Sequence, residues 1–384
     1  MLRSDPFKYE RTRRALSALG LECALFTDFY NVSYLTGYTT FFENGPSPFT
    51  EGRAAALFIP GEIILIAEGA EGTLEAGDWT LRGVSFTGYS YRQSDPPLDN
   101  FGAAVLKAVA QAGPSSGAIG YERNTLSAML EGKLRDLRPD CTWIDLPYMT
   151  MRLVRAVKSD AEIAILRDCA RLAEIGQEAV RQAAQHPGQT EIAIYGQAKA
   201  AMEAHIGGRF ALQNALHAGL NTQSPFPGMP SDYITQPGDC LISDMVPYYQ
   251  GYWGDTCSTY IVGGLDAVTD QHRQIQRIAQ EAFMLGFEAA WPGVTAGQID
   301  QIVRGYIENH GYTYPHHTGH GVGVSNQDEP RIIIGATLPL EENMVVVIEP
   351  PVYVPGWGGL RLERMFRITP NGAELLSHNS FELA

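Results

Sequence analysis

Two acidic residues stand inside apolar runs of this chain: Asp244 in CLISDMV and Glu349 in MVVVIEPPV. A lone carboxylate is strongly disfavoured in such surroundings, so each position asks for a counter-charge. The two lie 105 residues apart. The next acidic residues in strand-like runs, Asp255 in GYWGDTCSTYIV and Glu363 in GLRLERMFRIT, are 108 apart. His320, set between glycines in HHTGHGVG, adds an imidazole. Four buried carboxylates repel one another unless cations neutralise them. With one histidine they make a donor set for two hard or borderline divalent ions, about 3.5–4 Å apart in sites of that kind. An oxygen-rich shell without cysteine favours Mn, Co, Fe or Zn over copper or an iron–sulfur cluster, and manganese is taken first. Such a pair lowers the pKa of the water it shares and polarises a carbonyl, which suits hydrolysis near neutral pH. Glu349 or Glu363 is then available to accept the water's proton. Read singly the residues say less. Asp255 beside Gly254 is an ordinary turn residue, Glu363 between Arg361 and Arg364 is half of a surface ion pair, and His320 is a loop histidine.

The elements that must hold these residues come in two copies. PGQTEIAIYGQAKAAMEAHIG (187–207) and PGVTAGQIDQIVRGYIENHGY (292–312) share Pro-Gly-x-Thr, an isoleucine four residues later, and His205 or His310, all at the 105-residue offset. Each copy follows an amphipathic helix, about 160–185 and 266–290, and precedes strands. A unit of this length present twice predicts two halves facing each other rather than a solenoid. Ser159 and Glu162 form a capping box that opens the first long helix, and Pro187-Gly188 stops it. Upstream the pattern predicts helices over 8–19, 100–112 and 125–137, with strands over 22–27, 54–60, 62–69, 117–122 and 141–146. That is an α/β domain with no phosphate-cradling glycine loop.

The 384 residues suit two domains, and a hydrophobic content of 45% excludes disorder as a description of the whole. A net charge of −15 without basic runs argues against nucleic acid or an anionic membrane surface as partner. Five scattered cysteines (Cys23, Cys141, Cys169, Cys240, Cys257) contain no C-x-x-C pair. They predict neither a disulfide framework nor a thiolate zinc site, and fit a reducing compartment. No apolar signal segment is visible and no window approaches a membrane span, so a cytoplasmic protein is expected.

Taken together, GDCLISDMVPYYQGYWGDT, HHTGHGVG, VIEP and GLRLER resemble the pita-bread metallohydrolases. That family includes aminopeptidase P, prolidase, methionine aminopeptidase and the metal-free creatinase. NVSYLTGY (31–38) and RAVKSDAEIAILRDCA (155–170) are similar to its two-domain creatinase/prolidase branch. The resemblance covers nearly the whole chain and implies an α+β architecture. A creatinase-like N-terminal α/β domain would span 1–150, and a pseudo-two-fold pita-bread catalytic domain 151–384. It implies Asp244, Asp255, His320, Glu349 and Glu363 as metal ligands, with the family's spacing of 11 between the aspartates. It also implies His316 as an active-site histidine stabilising an oxyanion, Arg361 as an arginine orienting Glu363 or receiving a substrate carboxylate, and a homodimer.

Three departures separate this chain from the proline-specific members it resembles. A histidine expected after the Gly-x-Asn segment is replaced by Phe226, or by Pro227 if the loop is shifted by one. A second, seven residues beyond His320, is replaced by Gln327. The usual Asp-x-Thr-Arg-Thr reads Asp255-Thr256-Cys257-Ser258-Thr259. At the substrate-binding positions Phe226 neither donates nor titrates, and Gln327 hydrogen-bonds without titrating. His217, nine residues before Phe226, is a candidate to take over. The expected activity is a dinuclear metal-dependent hydrolase of the Xaa-Pro aminopeptidase/dipeptidase type, acting on small peptides through a hydroxide shared by the metals. The lost histidines keep open a non-peptidase member of the fold that hydrolyses another small-molecule amide or C–N bond, as in creatine or ectoine hydrolysis, or a metal-assisted lyase. A catalytically silent binding module is the third reading.

Overall fold

The apolar run at 23–26 becomes the middle of a sheet. This is seen in a computed structural model that describes residues 3, 5–39, 53–92, 94, 96–225 and 228–384. The chain forms two compact units, Met1–Arg155 and Ala156–Ala384, each taken here by itself. In the first, α1 (Pro6–Ala18) starts on Asp5, whose carboxylate accepts the Phe7 N–H, and leads into β1 (Cys23–Phe26). There follow α2 (Phe29–Thr36), β2 (Ala54–Ile59), β3 (Glu62–Ala67), β4 (Thr73–Ala76), β5 (Trp79–Val84) and α3 (Pro97–Ala112). The unit closes with β6 (Gly117–Tyr121), α4 (Ala128–Leu137), β7 (Cys141–Asp145) and α5 (Met149–Ala156). The seven strands lie in the order β4-β5-β3-β2-β1-β6-β7, with β1 antiparallel to β2 and parallel to β6. Both central strands are buried along their whole length, which is why they read as unbroken apolar runs. The helix α2, which overlaps NVSYLTGY, and the strands β4 and β5 are not among the predicted elements. The first is short and begins on the Asp28 cap; the other two alternate apolar and polar residues, but over only four and six positions.

Glu122, just past β6, ties the start of α2 to the sheet. Its carboxylate accepts the Thr27 and Asp28 N–H groups, each at 2.6 Å, and the Asn31 side-chain amide. Burial outweighs these donors and pushes the carboxyl up to about 7. Since the folded value lies above that of the unfolded chain, the stabilisation is complete at low pH and is lost as pH rises through about 7. Hydrogen exchange of the 23–36 segment should therefore show an opening free energy that falls by about 2 kcal/mol between pH 5 and 7.5. Glu122→Gln should flatten the profile, and a flat profile in the unmodified protein would sink the idea.

In the second unit, Ser159 and Glu162 make the predicted capping box at the start of α6 (Asp160–Ala184). Then come α7 (Glu191–Ile206), β8 (Ala211–Ala218), a 3-10 turn (Gly219–Gln223), β9 (Cys240–Tyr249), β10 (Tyr252–Trp253) and β11 (Thr256–Ile261). The second copy supplies α8 (Asp270–Ala289), α9 (Ala296–Asn309), β12 (Gly319–Gly321), β13 (Asp328–Ile332) and β14 (Val345–Ile348). A ribbon of β15 (Pro351–Val354) and β16 (Gly358–Arg361) precedes β17 (Arg364–Thr369) and β18 (Gly372–Leu375). One sheet runs β10-β9-β11 with β8 on β9, and the other β13-β12-β14-β17-β18.

The duplication is visible in detail. Thr190 and Thr295 cap α7 and α9 by accepting the Ala193 and Gln298 N–H groups. Each also bridges a partner in the same register, Ile234 and Pro339. Gly188 and Gly293 both sit at φ 90°, a left-handed conformation that the Pro-Gly turn needs and a Cβ resists. In each half the helix pair packs on its own sheet. Val180, Ile194 and Ala198 meet Leu216, Leu241 and Met245. Phe283, Ile299 and Val303 meet Val346, Ile348 and Phe366. Among the described residues, no helix is long and apolar enough to cross a membrane.

Candidate metal centre

Strand alternation decides which side chains face away from the helices. On β9, Leu241 and Met245 lie in the helix-covered cluster, whereas Ile242 packs with Cys257 and Tyr353 on the opposite face. Asp244, two residues from Ile242, shares that opposite face and pairs across the ladder with Ala215 and Cys257. Asp255 lies at the turn from β10 into β11. Gly254 before it has no room for a side chain, because a Cβ would stand 2.7 Å from the Cys169 carbonyl oxygen. His320 occupies the middle of β12. Side chains at its neighbours Gly319 and Gly321 would come to 2.0 Å of the Val347 oxygen and 2.1 Å of the Glu329 oxygen, so the glycines are what let this strand fit. Glu349 follows β14 and is fixed by its own N–H donating to the Thr318 carbonyl at 2.9 Å. Glu363, between β16 and β17, bridges Cys257 through two backbone hydrogen bonds, so strand ends from both halves are stitched at the site.

These elements gather the residues singled out by the duplication. Asp255, His320 and Glu363 present ligand atoms that all lie within 4.8 Å of one another, and so do His317, His320 and Glu349. Asp255, His320, Glu349 and Glu363 are buried. Asp244 is less enclosed than its apolar strand suggested, with its side chain 17% exposed. His320 Nδ1 faces the Gly321 carbonyl at 3.0 Å; a carbonyl only accepts, so Nδ1 carries the proton and the Nε2 lone pair points elsewhere. Nε2 lies 3.6 Å from Asp255 and 3.8 Å from Glu349. Burial holds His320 at about 4, so it is neutral at ordinary pH.

Burial, with the charges of Asp244 and Glu349, pushes Asp255 well above the usual carboxylate range. Burial together with Asp255 does the same to Glu363. Asp244 is also raised by burial, against the pull of Arg361. Glu349 goes the other way: burial would raise it, but the hydrogen bond and charge of His317 hold it at about 2. The Asp244 Oδ1 is buried with no hydrogen-bond partner among the described residues. Crowded carboxylates resisting ionisation, an orphan oxygen and a neutral imidazole lone pair fit a hard or borderline divalent cation.

Two neighbours, His317 and Tyr353, were not legible in the sequence. His317 Nε2 sits 2.6 Å from Glu349 Oε1. Arg361 donates to Asp244 and, at 3.4 Å, to the Tyr353 hydroxyl; no bond to Glu363 accompanies these, so it orients the other carboxylate from the one expected. His316 Nδ1 faces the His317 carbonyl at 2.7 Å, which leaves Nε2 to accept from the Tyr353 hydroxyl at 3.2 Å. In that tautomer a neutral His316 has no N–H to offer an oxyanion, a difference from its expected role. Burial also lowers its pKa. Gln327 is exposed. Phe226 and Pro227 lie outside the described residues.

A buried acid on each repeated helix braces the loop that carries the site. On α9, Asp300 accepts from Arg304 and from the Thr318 hydroxyl at 2.6 Å. Arg304 in turn donates to the Tyr314 and His316 carbonyls. On α7, Glu191 accepts the Ala218 and Ser231 N–H groups at 2.7 and 2.9 Å.

Two family descriptions match the chain: Creatinase/Prolidase N-terminal domain over residues 8–157, and Metallopeptidase family M24 over residues 164–370. The chain belongs to metallopeptidase family M24. It is thus an α+β metallohydrolase of the creatinase/prolidase branch, as its motifs suggested. Among M24 relatives, the uncharacterized peptidase YqhT of Bacillus subtilis is 28% identical over 98% of this chain and 99% of its own length. An Xaa-Pro dipeptidase of Lactobacillus helveticus is 30% identical over 68% of this chain and 71% of its own. The solved Xaa-Pro dipeptidase from Bacillus anthracis superposes with a TM-score of 0.79, covering 98% of both chains at 24% identity. The X-Pro aminopeptidase from Thermotoga maritima gives 0.76 at 22% identity, again covering 98% of each. At these identities the two structures speak for the M24 fold alone. Membership of M24 implies divalent metal ions and a peptide substrate.

Proposed function

We propose that the protein is a two-metal exopeptidase of the Xaa-Pro aminopeptidase or dipeptidase type, acting on small peptides with its catalytic domain over 151–384 and a creatinase-like domain over 1–150. The observation that carries this reading is the convergence of Asp255, His320 and Glu363, with Glu349 and Asp244 beside them, on one face of the paired sheets. The Xaa-Pro dipeptidases among its relatives supply the substrate class. Asp244, Asp255, His320, Glu349 and Glu363 would hold two divalent ions, manganese first and cobalt, zinc or iron as alternatives. Bound there, the ions supply Lewis acidity toward a carbonyl and acidify water.

The chain's own groups do the rest. Glu349, kept ionised by His317, would accept a proton from the attacking water, and the protonated His317 at 2.6 Å holds that carboxylate in place. Arg361 fixes Asp244, while Tyr353 joins Arg361 to His316 so that the ring and the guanidinium hold station together. From their places in the sequence, Phe226 and Gln327 are assigned with Arg361 to substrate binding. All five cysteines are free thiols, which supports a cytoplasmic location, and a homodimer completes the reading.

The test is a screen of metal-reconstituted protein on dipeptides and tripeptides with proline second, alongside creatine and acylated diamino acids. Turnover of a prolyl peptide should require added Mn or Co, vanish with chelator and return with metal. Activity that survives full metal removal, or turnover confined to the non-peptide substrates, would overturn it.

A further inference from the structure

Next to the centre lies a buried imidazole that no described residue employs. His217 is 3% exposed, and among the described residues neither of its buried ring nitrogens has a hydrogen-bond partner. Its place on β8 follows from the ladder: His217 pairs with Ile242 and Ala215 with Asp244. Leu216 and Ala218 belong to the helix-covered cluster, so the alternation turns His217 to the face that carries Asp244, Cys257 and Thr259. In an antiparallel pair a diagonal neighbour such as Asp244 stands roughly 7–8 Å away, within reach of one bridging atom.

Two other orphans share this spot, Asp244 Oδ1 and Arg361 Nε. The ring feels Arg361: burial first, then the guanidinium charge, lower His217 to about 4, so it stays neutral. The Gly228 carbonyl, which accepts the Leu216 N–H at 3.2 Å, lies against the ring and pulls its pKa weakly upward, but neither ring nitrogen meets it in hydrogen-bond geometry. Gly228 itself leaves the ring uncovered by a side chain, since a Cβ there would touch it at 3.5 Å. A buried imidazole with no partner is costly, and the same volume of leucine would not be. Polar groups kept unsatisfied in a core mark places where function overrides stability.

We propose that His217 is a substrate-contacting residue of this site, its ring N–H donating to a carbonyl or carboxylate oxygen of the bound peptide, beside Arg361 Nε and Asp244. A neutral imidazole always carries one N–H, so the donor is present across the working pH range. The bound oxygen satisfies the ring and the guanidinium Nε at once. The inference rests on the peptidase reading above.

The experiment compares the unmodified chain with His217→Leu, His217→Gln and His217→Asn on a prolyl dipeptide and on its C-terminal amide, with metal content and melting temperature recorded. Leucine should leave metal content unchanged and keep or raise the melting temperature of the metal-free protein. It should nevertheless cut kcat/KM by about 10²-fold. Gln or Asn, which restore an N–H, should recover part of the loss. A penalty on the free acid that disappears on the amide identifies a carboxylate oxygen, and an equal penalty on both identifies the carbonyl. Turnover of His217→Leu within threefold of the unmodified protein overturns the proposal. So does metal loss that parallels the activity loss, because it would place His217 in the scaffold of the metal ligands. If the unmodified protein cleaves no peptide, the peptidase reading fails first; a lowered melting temperature of metal-free His217→Leu then counts separately against an unemployed ring.

Discussion

Asparagine at Asp255 is expected to make the metal-free protein more stable and the enzyme inactive. In the folded chain Asp255 resists ionisation because burial and the charges of Asp244 and Glu349 oppose it, and Glu363 because burial and the charge of Asp255 do. Removing one charge relieves that repulsion, and about 1 kcal/mol of relief raises the melting temperature of a unit this size by roughly 2–4 °C. With Mn or Co in excess the order reverses. The unmodified protein gains stability by mass action, about 2.7 kcal/mol at a hundredfold excess over Kd, whereas the variant has lost a donor and gains little. Calorimetry with and without chelator, elemental analysis and peptide turnover read the three effects on one preparation. An Asp255→Asn protein that binds the full complement of metal, or melts lower than the unmodified apoprotein, would contradict the assignment.

Alanine at Asp300 should damage the site from 18 residues away in sequence. The substitution strands Arg304, only 12% exposed, and frees the Thr318 hydroxyl. Removing one partner of a buried pair costs about 3–5 kcal/mol. The same change loosens the Tyr314–Thr318 segment, from which His316 and His317 project and to which Glu349 is anchored. Urea denaturation gives the first effect, and kcat at saturating metal gives the second. A paired Asp300→Leu, Arg304→Met protein separates them. It should recover most of the stability, because the stranded charge is gone, yet keep a lowered kcat, because the two carbonyls have lost their donor. Full recovery of both would reduce Asp300 to a packing role.

The sequence carried the metal centre further than the surrounding shell, for a physical reason. Asp244 and Glu349 were conspicuous because charge inside an apolar strand has a high cost, and the 105-residue offset tied them together. The first long helix was equally plain, since the Ser159–Glu162 box is a local signal that survives folding unchanged; the shared Pro-Gly-x-Thr showed Thr190 and Thr295 as a repeat, and the fold shows them as caps. His317, Tyr353 and the Asp300–Arg304 brace left no such mark. Tyr353 reaches His316 and Arg361 from a separate ribbon, and Asp300 looks like any polar residue on an amphipathic helix until the helix is docked. Arg361 was placed near the site by the family resemblance, and in the fold its guanidinium bonds Asp244 rather than Glu363. His217 was a candidate only through its place nine residues before Phe226; what isolates it is register, which one sequence does not display.

The paired backbone bonds between Cys257 and Glu363 close a loop of more than a hundred residues, and they join strand ends belonging to different copies of the repeat. In the proposed site neither copy would own a complete donor set: Asp244 and Asp255 come with one, His320, Glu349 and Glu363 with the other. Ion affinity therefore measures how tightly the two copies are clasped, and anything that pries them apart by a fraction of an ångström is felt first as weaker chelation. A titration with metal doubles as a strain gauge on the seam.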